Sequence, residues 1–383
     1  QRGVAPPAGA GARFGAAESF VVLDRRLERA NSARYCIAYA VRLAGLTNRT
    51  LIAPSIRNGL LRDPNASMPD ALDFWDLAAA APAVRMARTR DFLAAYPLER
   101  HGGIWRPLGA ANFTVAQVWP ELNQTEEALA PSFAAGRGAR VLVLREDLEV
   151  NLCARFGRVE FVTPAREAMY RALDVPTAAV REYAQVMFGR LPAGAAVVQW
   201  RSMTHTLMLL LLGNKKARKK VGTLHHRGCA RALLAGAARL FGTGRKVVLF
   251  SDVHRGMGGY FEFMKYWKQF RALEDDRKRA VTLLSAKGWL DGDALVADFI
   301  AKRPLLPGFG ADEGLQALVA ESVCEQAAAF LTCIEEDCSR CGRPQSQFTR
   351  AIVRARLARG AGATCTTWTS WVSDTRDASC EKK

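Results

Sequence analysis

The 383-residue chain has no long hydrophobic run. Its apolar stretch Leu207 to Leu212 spans only six residues. A helical membrane span needs about 20, so this stretch reads as a core element. Histidine is scarce, five in all, and His225, His226 and His254 do not form an HExxH or similar metal set. Gly256-Met257-Gly258-Gly259 lacks both the spacing of a dinucleotide fingerprint and the GK[ST] of a P-loop. It reads as a flexible loop near a ligand. There is no aromatic-basic module and no zinc-finger spacing, which removes the main sequence support for nucleic-acid binding. No internal repeat is evident. The chain opens on a Gly/Ala/Pro stretch from Gln1 to Gly15, read as trimmed sequence or the end of a stem. Any membrane anchor is expected to have been removed or never to have existed.

What is present points to a folded protein of the secretory pathway. Nearly half of the residues are apolar, 49%, which argues against disorder over most of the length. Four N-x-S/T tripeptides begin at Asn48, Asn65, Asn112 and Asn123, none with a central proline. A glycan is bulky and polar, so each used site must lie on the surface. The nine cysteines are spread unevenly: Cys36, Cys153, Cys229 and Cys324 are scattered, whereas Cys333, Cys338, Cys341, Cys365 and Cys380 crowd the C-terminal end. That crowding fits local disulfide staples in an oxidising compartment, with a zinc site at Cys333, Cys338 and Cys341 as the alternative. The odd total leaves at least one thiol free or paired between chains, and spacing does not fix the connectivity. The Golgi or endoplasmic reticulum lumen, or the cell exterior, is the expected location.

The formal charge is +17. It is compatible with nucleic acid, and equally with an enzyme whose substrate carries a pyrophosphate. Its one dense cluster, Lys215 to Lys220, reads as a solvated turn after a buried element.

Hydrophobic patterning lays out two α/β units. Residues 18–24 and 50–53 read as strands flanking a helix over 31–43, followed by a helix and strand over 72–87, a short helix over 91–96 and a strand over 140–144. Residues 101–135 are less regular and are alternatively an inserted subdomain. Residues 164–173 and 177–188 read as connecting helices. A second unit follows, with strands over 195–200 and 246–250, a helix over 228–241, helix and strand over 272–284, a long helix over 315–330 and a helix over 348–359. Residues 331–333 read as a strand edge. The expected domains are 16–165 and 194–375, joined by a helical connector over 166–193.

Doubly wound domains place ligands beyond the C-terminal ends of their strands. Arg201 follows the 195–200 strand and offers a rigid fork of donors to phosphate oxygens. Asp252 follows the 246–250 strand, where a carboxylate can accept from a base or ribose. Ser346-Gln347-Phe348-Thr349 precedes the 348–359 helix, whose start supplies hydroxyls and free N–H groups to an anion. Together the three suggest a nucleotide or phosphate ligand. Asp291-Gly292-Asp293 has metal-binding DxD spacing, but the apolar helical pattern after it favours a turn and helix cap.

These motifs resemble the GDP-fucose-dependent fucosyltransferases of the GT-B type, especially the protein O-fucosyltransferase-like group. Asn31-Ser32-Ala33-Arg34 and Leu46-Thr47-Asn48-Arg49-Thr50-Leu51-Ile52-Ala53-Pro54 resemble that group's opening. Ala71-Leu72-Asp73-Phe74-Trp75-Asp76 resembles its F-x-D-x-F-D segment, Gln199-Trp200-Arg201 its H-x-R strand end, and Val248 to Val253 its V-Y-L-A-T-D. Residues 323–330, Ser346 to Thr349 and Arg356 resemble its closing region. Gln199 stands where the family has histidine.

The resemblance implies two Rossmann-like α/β/α domains facing across a cleft, the first on the acceptor side and the second binding the nucleotide sugar. It implies inverting, metal-independent transfer of fucose from GDP-fucose to a hydroxyl of a protein or glycan acceptor, with no further cofactor. By carry-over, Arg201 contacts the donor β-phosphate and stabilises the leaving GDP. Asp252 holds the guanine or ribose end. Ser346, Gln347, Phe348 and Thr349 line the nucleotide pocket, with Arg356 in the same set, and Asn31 and Arg34 sit on the first domain's side. Glu28 and Asp24 are general-base candidates by proximity alone. Another nucleotide sugar on the same scaffold, and a non-catalytic carbohydrate- or protein-binding relative, remain alternatives. Because the resemblance itself explains Asn48-Arg49-Thr50, three glycan signals stand as independent evidence for the lumen.

Overall fold

The computed structural model describes residues 14–15, 17–24, 29–53, 71–101, 104–109, 111–118, 130–131, 138–145, 175–200, 226–252, 267–305, 313–332, 341, 347–360 and 363–365. The chain divides into two units, Gln1–Arg181 with Pro304–Ala317, and Glu182–Arg303 with Leu318–Lys383. Each is built on a five-stranded sheet.

In the first unit, β1 (Phe20–Asp24) leads into α1 (Arg29–Thr47) and β2 (Thr50–Ile52). Two single-turn helices, α2 (Ala71–Phe74) and α3 (Leu77–Ala80), precede β3 (Met86–Ala87) and α4 (Thr89–Ala95). An antiparallel hairpin of β4 (Leu98–His101) and β5 (Ile104–Pro107) follows, then β6 (Val115–Val118) and β7 (Val141–Arg145). The sheet order is β3-β2-β1-β7-β6 and every pair is parallel. Part of the 101–135 stretch therefore belongs to this sheet, with β6 at its edge.

Alternate residues of the strands face opposite layers. Phe20, Val22, Ile52, Val141 and Val143 pack with Phe92, Leu98 and Trp105. Val21, Leu23 and Leu51, buried as well, take the other face, and α1 packs on β1 and β2.

The turn out of α1 accounts for the Asn48-Arg49-Thr50 motif. Asn48 takes φ 50°, a left-handed helix end that Asn tolerates better than most residues. Arg49 N–H then donates back to the Ala44 carbonyl at 3.0 Å. The Arg49 guanidinium is buried and donates to the carbonyls of Phe20 and Ala139 at 3.3 and 3.0 Å, bracing the start of β1. Thr50 opens β2 with its hydroxyl on Glu18, 2.5 Å away.

The second unit begins within α5 (Ala178–Phe188) and runs through β8 (Ala196–Trp200), α6 (His226–Phe241), β9 (Val247–Ser251), α7 (Trp267–Ala286), β10 (Leu290–Asp291), α8 (Gly292–Lys302), α9 (Glu313–Gln326), β11 (Ala329–Thr332), α10 (Gln347–Ala358) and β12 (Ala363–Cys365). The sheet order is β10-β9-β8-β11-β12, again entirely parallel. The chain winds outward from β8 through β9 to β10, then crosses back to β11 on the other side of β8. The strand order thus reverses between β8 and β11, a doubly wound topology.

Two sequence expectations change here. Residues 272–284 are all helix, and the strand lies later, at β10. The long helix expected to Phe330 stops at Gln326, and Ala329–Thr332 is a fully buried strand between β8 and β12.

Ala196, Val198 and Trp200 face α6 and α7, where Ala230, Leu233, Leu273, Ala280 and Leu284 close the layer. Cys229 of α6 is bonded to Cys341, 112 residues away in sequence. Cys341 is therefore part of a long-range link, not a local staple or a zinc ligand. Cys324 is a buried free thiol, and burial raises its pKa well above the ordinary range. Among the described residues no three acidic, His or Cys side chains gather as a metal site. No described helix is long and apolar enough to cross a membrane.

Candidate functional site

The strand order reverses between β8 and β11, and in doubly wound sheets ligands are held at the C-terminal strand ends beside such a reversal. Gln199 and Trp200 end β8, and because strand residues alternate they point into opposite layers. Gln199 is 2% exposed. Its amide oxygen accepts from the Thr332 hydroxyl at the end of β11, at 3.0 Å, and from the Thr349 hydroxyl in the first turn of α10, at 2.7 Å. The Gln199 Nε2 group is buried without a hydrogen-bond partner. Phe348 and Thr349 are themselves buried. One carboxamide thus ties β8, β11 and α10 together. It leaves an unmet donor beside the N-terminus of a twelve-residue helix, where backbone N–H groups also lack intrahelical acceptors.

On the other layer, Trp200 is 1% exposed and its indole N–H donates to the Cys341 carbonyl. The Trp200 carbonyl accepts from the Ser251 hydroxyl at 2.5 Å. Ser251 N–H donates to the Asp293 carboxylate at 2.7 Å, while Asp291 caps α8 by accepting from Ala294 N–H at 3.0 Å. The DxD-spaced pair is thus a strand-end tether and a helix cap, as its context predicted. Its central Gly292 is a packing requirement. A Cβ there would lie 2.9 Å from Val248 and the Phe250 ring.

His226 starts α6, 1% exposed, with its ring 6.1 Å from that of Trp200 and its Nδ1 4.0 Å from an Asp276 oxygen. Burial lowers its pKa. The carboxylates of Asp276, Asp252 and Glu274 oppose that shift and Arg277 adds to it. Asp252, half-buried, follows β9 at the same strand ends.

The sequence-predicted residues divide as follows. Phe348, Thr349 and Asp252 lie at the C-terminal strand ends of the second sheet, and Gln347 is the first residue of α10. Arg201, Ser346 and Glu28 lie outside the described residues, as do Asn65 and Asn123. Asn31 is in the first turn of α1, and Asp24 ends β1. Arg34 is buried, its guanidinium 5.9 Å from the Trp75 ring centre. Asn48 and Asn112 are exposed.

Arg356 is fully buried. It donates to the carbonyls of Cys324, Glu325 and Ala327 at 3.0, 3.0 and 2.6 Å and to the Thr364 hydroxyl at 3.0 Å. A cation there satisfies the carbonyls at the C-terminal end of α9 and ties β12 to it, which is a structural role.

Sequence reading missed Thr332, Trp200 and His226 as members of this constellation and treated Gln199 only as a departure from a motif. The position of Gln199 at a strand end, two residues before the singled-out Arg201, was the available signal.

No family model matches the chain, and neither does any curated protein. Several solved structures are similar to it. POFUT1 in complex with GDP shares 10% identity at a TM-score of 0.45, over 93% of this chain and 99% of that one. POFUT1 in complex with GDP-fucose shares 10% at 0.45, over 93% and 99%. Fucosyltransferase NodZ from Bradyrhizobium shares 15% at 0.38, over 88% and 93%. The chain thus bears a remote structural resemblance, at low sequence identity, to the GT-B fucosyltransferases that use GDP-fucose.

Proposed function

We propose that the chain is a nucleotide-sugar-dependent glycosyltransferase that moves fucose from GDP-fucose to a hydroxyl of a protein or glycan acceptor, with inversion and without a metal. The observation that carries this reading is the reversal of strand order between β8 and β11. There a buried amide donor without a partner adjoins the start of α10. Phosphate oxygens are acceptors only, and the Gln199 carboxamide is a neutral donor suited to them. In this reading Arg201, the residue after Trp200 in the chain, stabilises charge on the departing GDP. Asp252 accepts from the nucleoside, and Asn31 and Arg34 bind the nucleotide sugar from the first domain. The proposed location is the lumen of the secretory pathway. The Cys229–Cys341 bond and the signals at Asn65, Asn112 and Asn123 support it.

The test is ligand-linked stability without added metal. GDP at about 100 times its Kd stabilises a one-site protein by about 2.7 kcal/mol, so the melting temperature rises. A shift with UDP but none with GDP removes GDP-fucose as donor. No shift with any nucleotide removes the transferase reading in favour of a binding relative. A nucleotide-sugar hydrolysis panel then identifies the donor.

A further inference from the structure

Trp200 ends β8 directly before Arg201, and it is held from two sides. Ser251 of β9 bonds its carbonyl, and the carbonyl of Cys341 takes its indole N–H. Ser251 is itself fixed within β9 and by Asp293. Cys341 belongs to no helix or strand, lying in a turn between β11 and α10, yet it is only 6% exposed. Its covalent attachment to Cys229 joins it to regular structure, since Cys229 lies in α6, 3% exposed in the same apolar layer as Trp200. Trp200, Cys229 and Cys341 thus form one buried unit at the strand ends.

We propose that the Cys229–Cys341 disulfide is a positioning device for the nucleotide site. It fixes the carbonyl that orients Trp200, and through Trp200 it holds the end of β8, where Gln199 meets Thr332 and Thr349. Its effect on turnover rests on the transferase reading above; its effect on the order of β8 does not. Reduction by a dithiol would add two electrons and two protons to the bond, giving two thiols here and a disulfide in the reagent. Both sulfurs belong to buried residues, so the bond is set while the chain folds and is not toggled afterwards. Protein folded in a reducing compartment would keep its sheet but hold the end of β8 less firmly.

The experiment compares wild type, Cys229→Ser/Cys341→Ser, Trp200→Phe and the triple variant. Hydrogen exchange of the segment 196–200 and donor-hydrolysis kinetics are the two readouts. Trp200→Phe keeps a ring but lacks the indole donor. The cysteine variant is expected to speed exchange in 196–200 and to lower kcat, each by about tenfold or more, with a smaller change in KM. Trp200→Phe should reproduce the loss of kcat with the disulfide intact, and the triple variant should lose little more.

A brace with a merely structural role would lower the melting temperature and speed exchange alike in 196–200 and in the neighbouring strands 247–251 and 329–332, leaving kcat per folded molecule unaltered, and that outcome overturns the proposal. If the cysteine variant does not fold, Trp200→Phe decides: wild-type kcat and exchange overturn it, and loss of either supports it. If wild type turns over no nucleotide sugar, the transferase reading falls. The exchange arm then decides the positioning role alone, with unaltered protection overturning it.

Discussion

The Gln199 amide oxygen accepts from the Thr349 hydroxyl at 2.7 Å, joining the end of β8 to the first turn of α10 across 150 residues of sequence. With Thr332 on the same oxygen, at 3.0 Å, the carboxamide is a three-way clasp at the reversal of strand order. A clasp at that position fixes the start of α10 relative to the strand ends, where a nucleotide is proposed to sit.

Gln199→Leu keeps the size of the side chain but removes the acceptor shared by two buried hydroxyls. The Thr332 hydroxyl keeps the Gln199 backbone carbonyl at 3.1 Å, so the loss falls on the Thr349 bond, and such a hydrogen bond contributes about 0.5–1.5 kcal/mol. The urea-unfolding midpoint should fall by that equivalent, and the GDP-induced rise in melting temperature should shrink or vanish. A leucine variant with wild-type stability and an undiminished GDP shift would show that the clasp holds nothing in place.

Asp291→Ala removes a helix cap, which costs about 1 kcal/mol. Asp293→Ala strands the Ser251 N–H. Both changes should lower the melting temperature whether or not divalent metal is present, and a chelator should leave donor turnover unchanged. Metal-dependent turnover abolished by either variant would instead make the pair a metal clamp.

Arg356→Met should destabilise by about 3 kcal/mol or more, because hydrogen bonds from a charged donor to buried carbonyls are worth about 1.5–3 kcal/mol each. Chemical denaturation measures this. Unaltered stability combined with lost GDP affinity would move Arg356 from the interior brace to the ligand.

His226 gives a sign to the acid limb of stability. Its folded pKa lies below the ordinary 6.5, chiefly through burial. In the window between the two values the unfolded chain therefore binds more protons than the folded one. Stability from this group is fully present above about pH 6.5 and declines as pH falls toward the lowered folded value. Unfolding of wild type and His226→Phe between about pH 7.5 and about pH 5.5 should show the wild type losing more stability on acidification. An equal or smaller loss in the wild type would refute the assignment.

How much of this was legible varies by element. The strand at 20–24, the helix after it and the strand at 50–52 follow from apolar runs and helical spacing, which are local properties. The cap role of Asp291 followed from the helical pattern after it. The segment Ala327 to Thr332 misled, since a short apolar run continuing a helix carries no period that separates buried helix from buried strand. Its strand state comes from pairing with β8 and β12.

The sequence by itself determined two α/β units, the strand-end position of Asp252 and the placing of Phe348 and Thr349 at the start of a helix. Only the tertiary structure decided that β11 lies beside β8, that Cys229 pairs with Cys341, and that Arg356 turns inward. The reason is physical. Periodicity records which face of an element is buried, whereas the partner across that face is chosen by packing between segments distant in sequence. Gln199 meeting Thr332 and Thr349 is such a choice, and no local pattern encodes it.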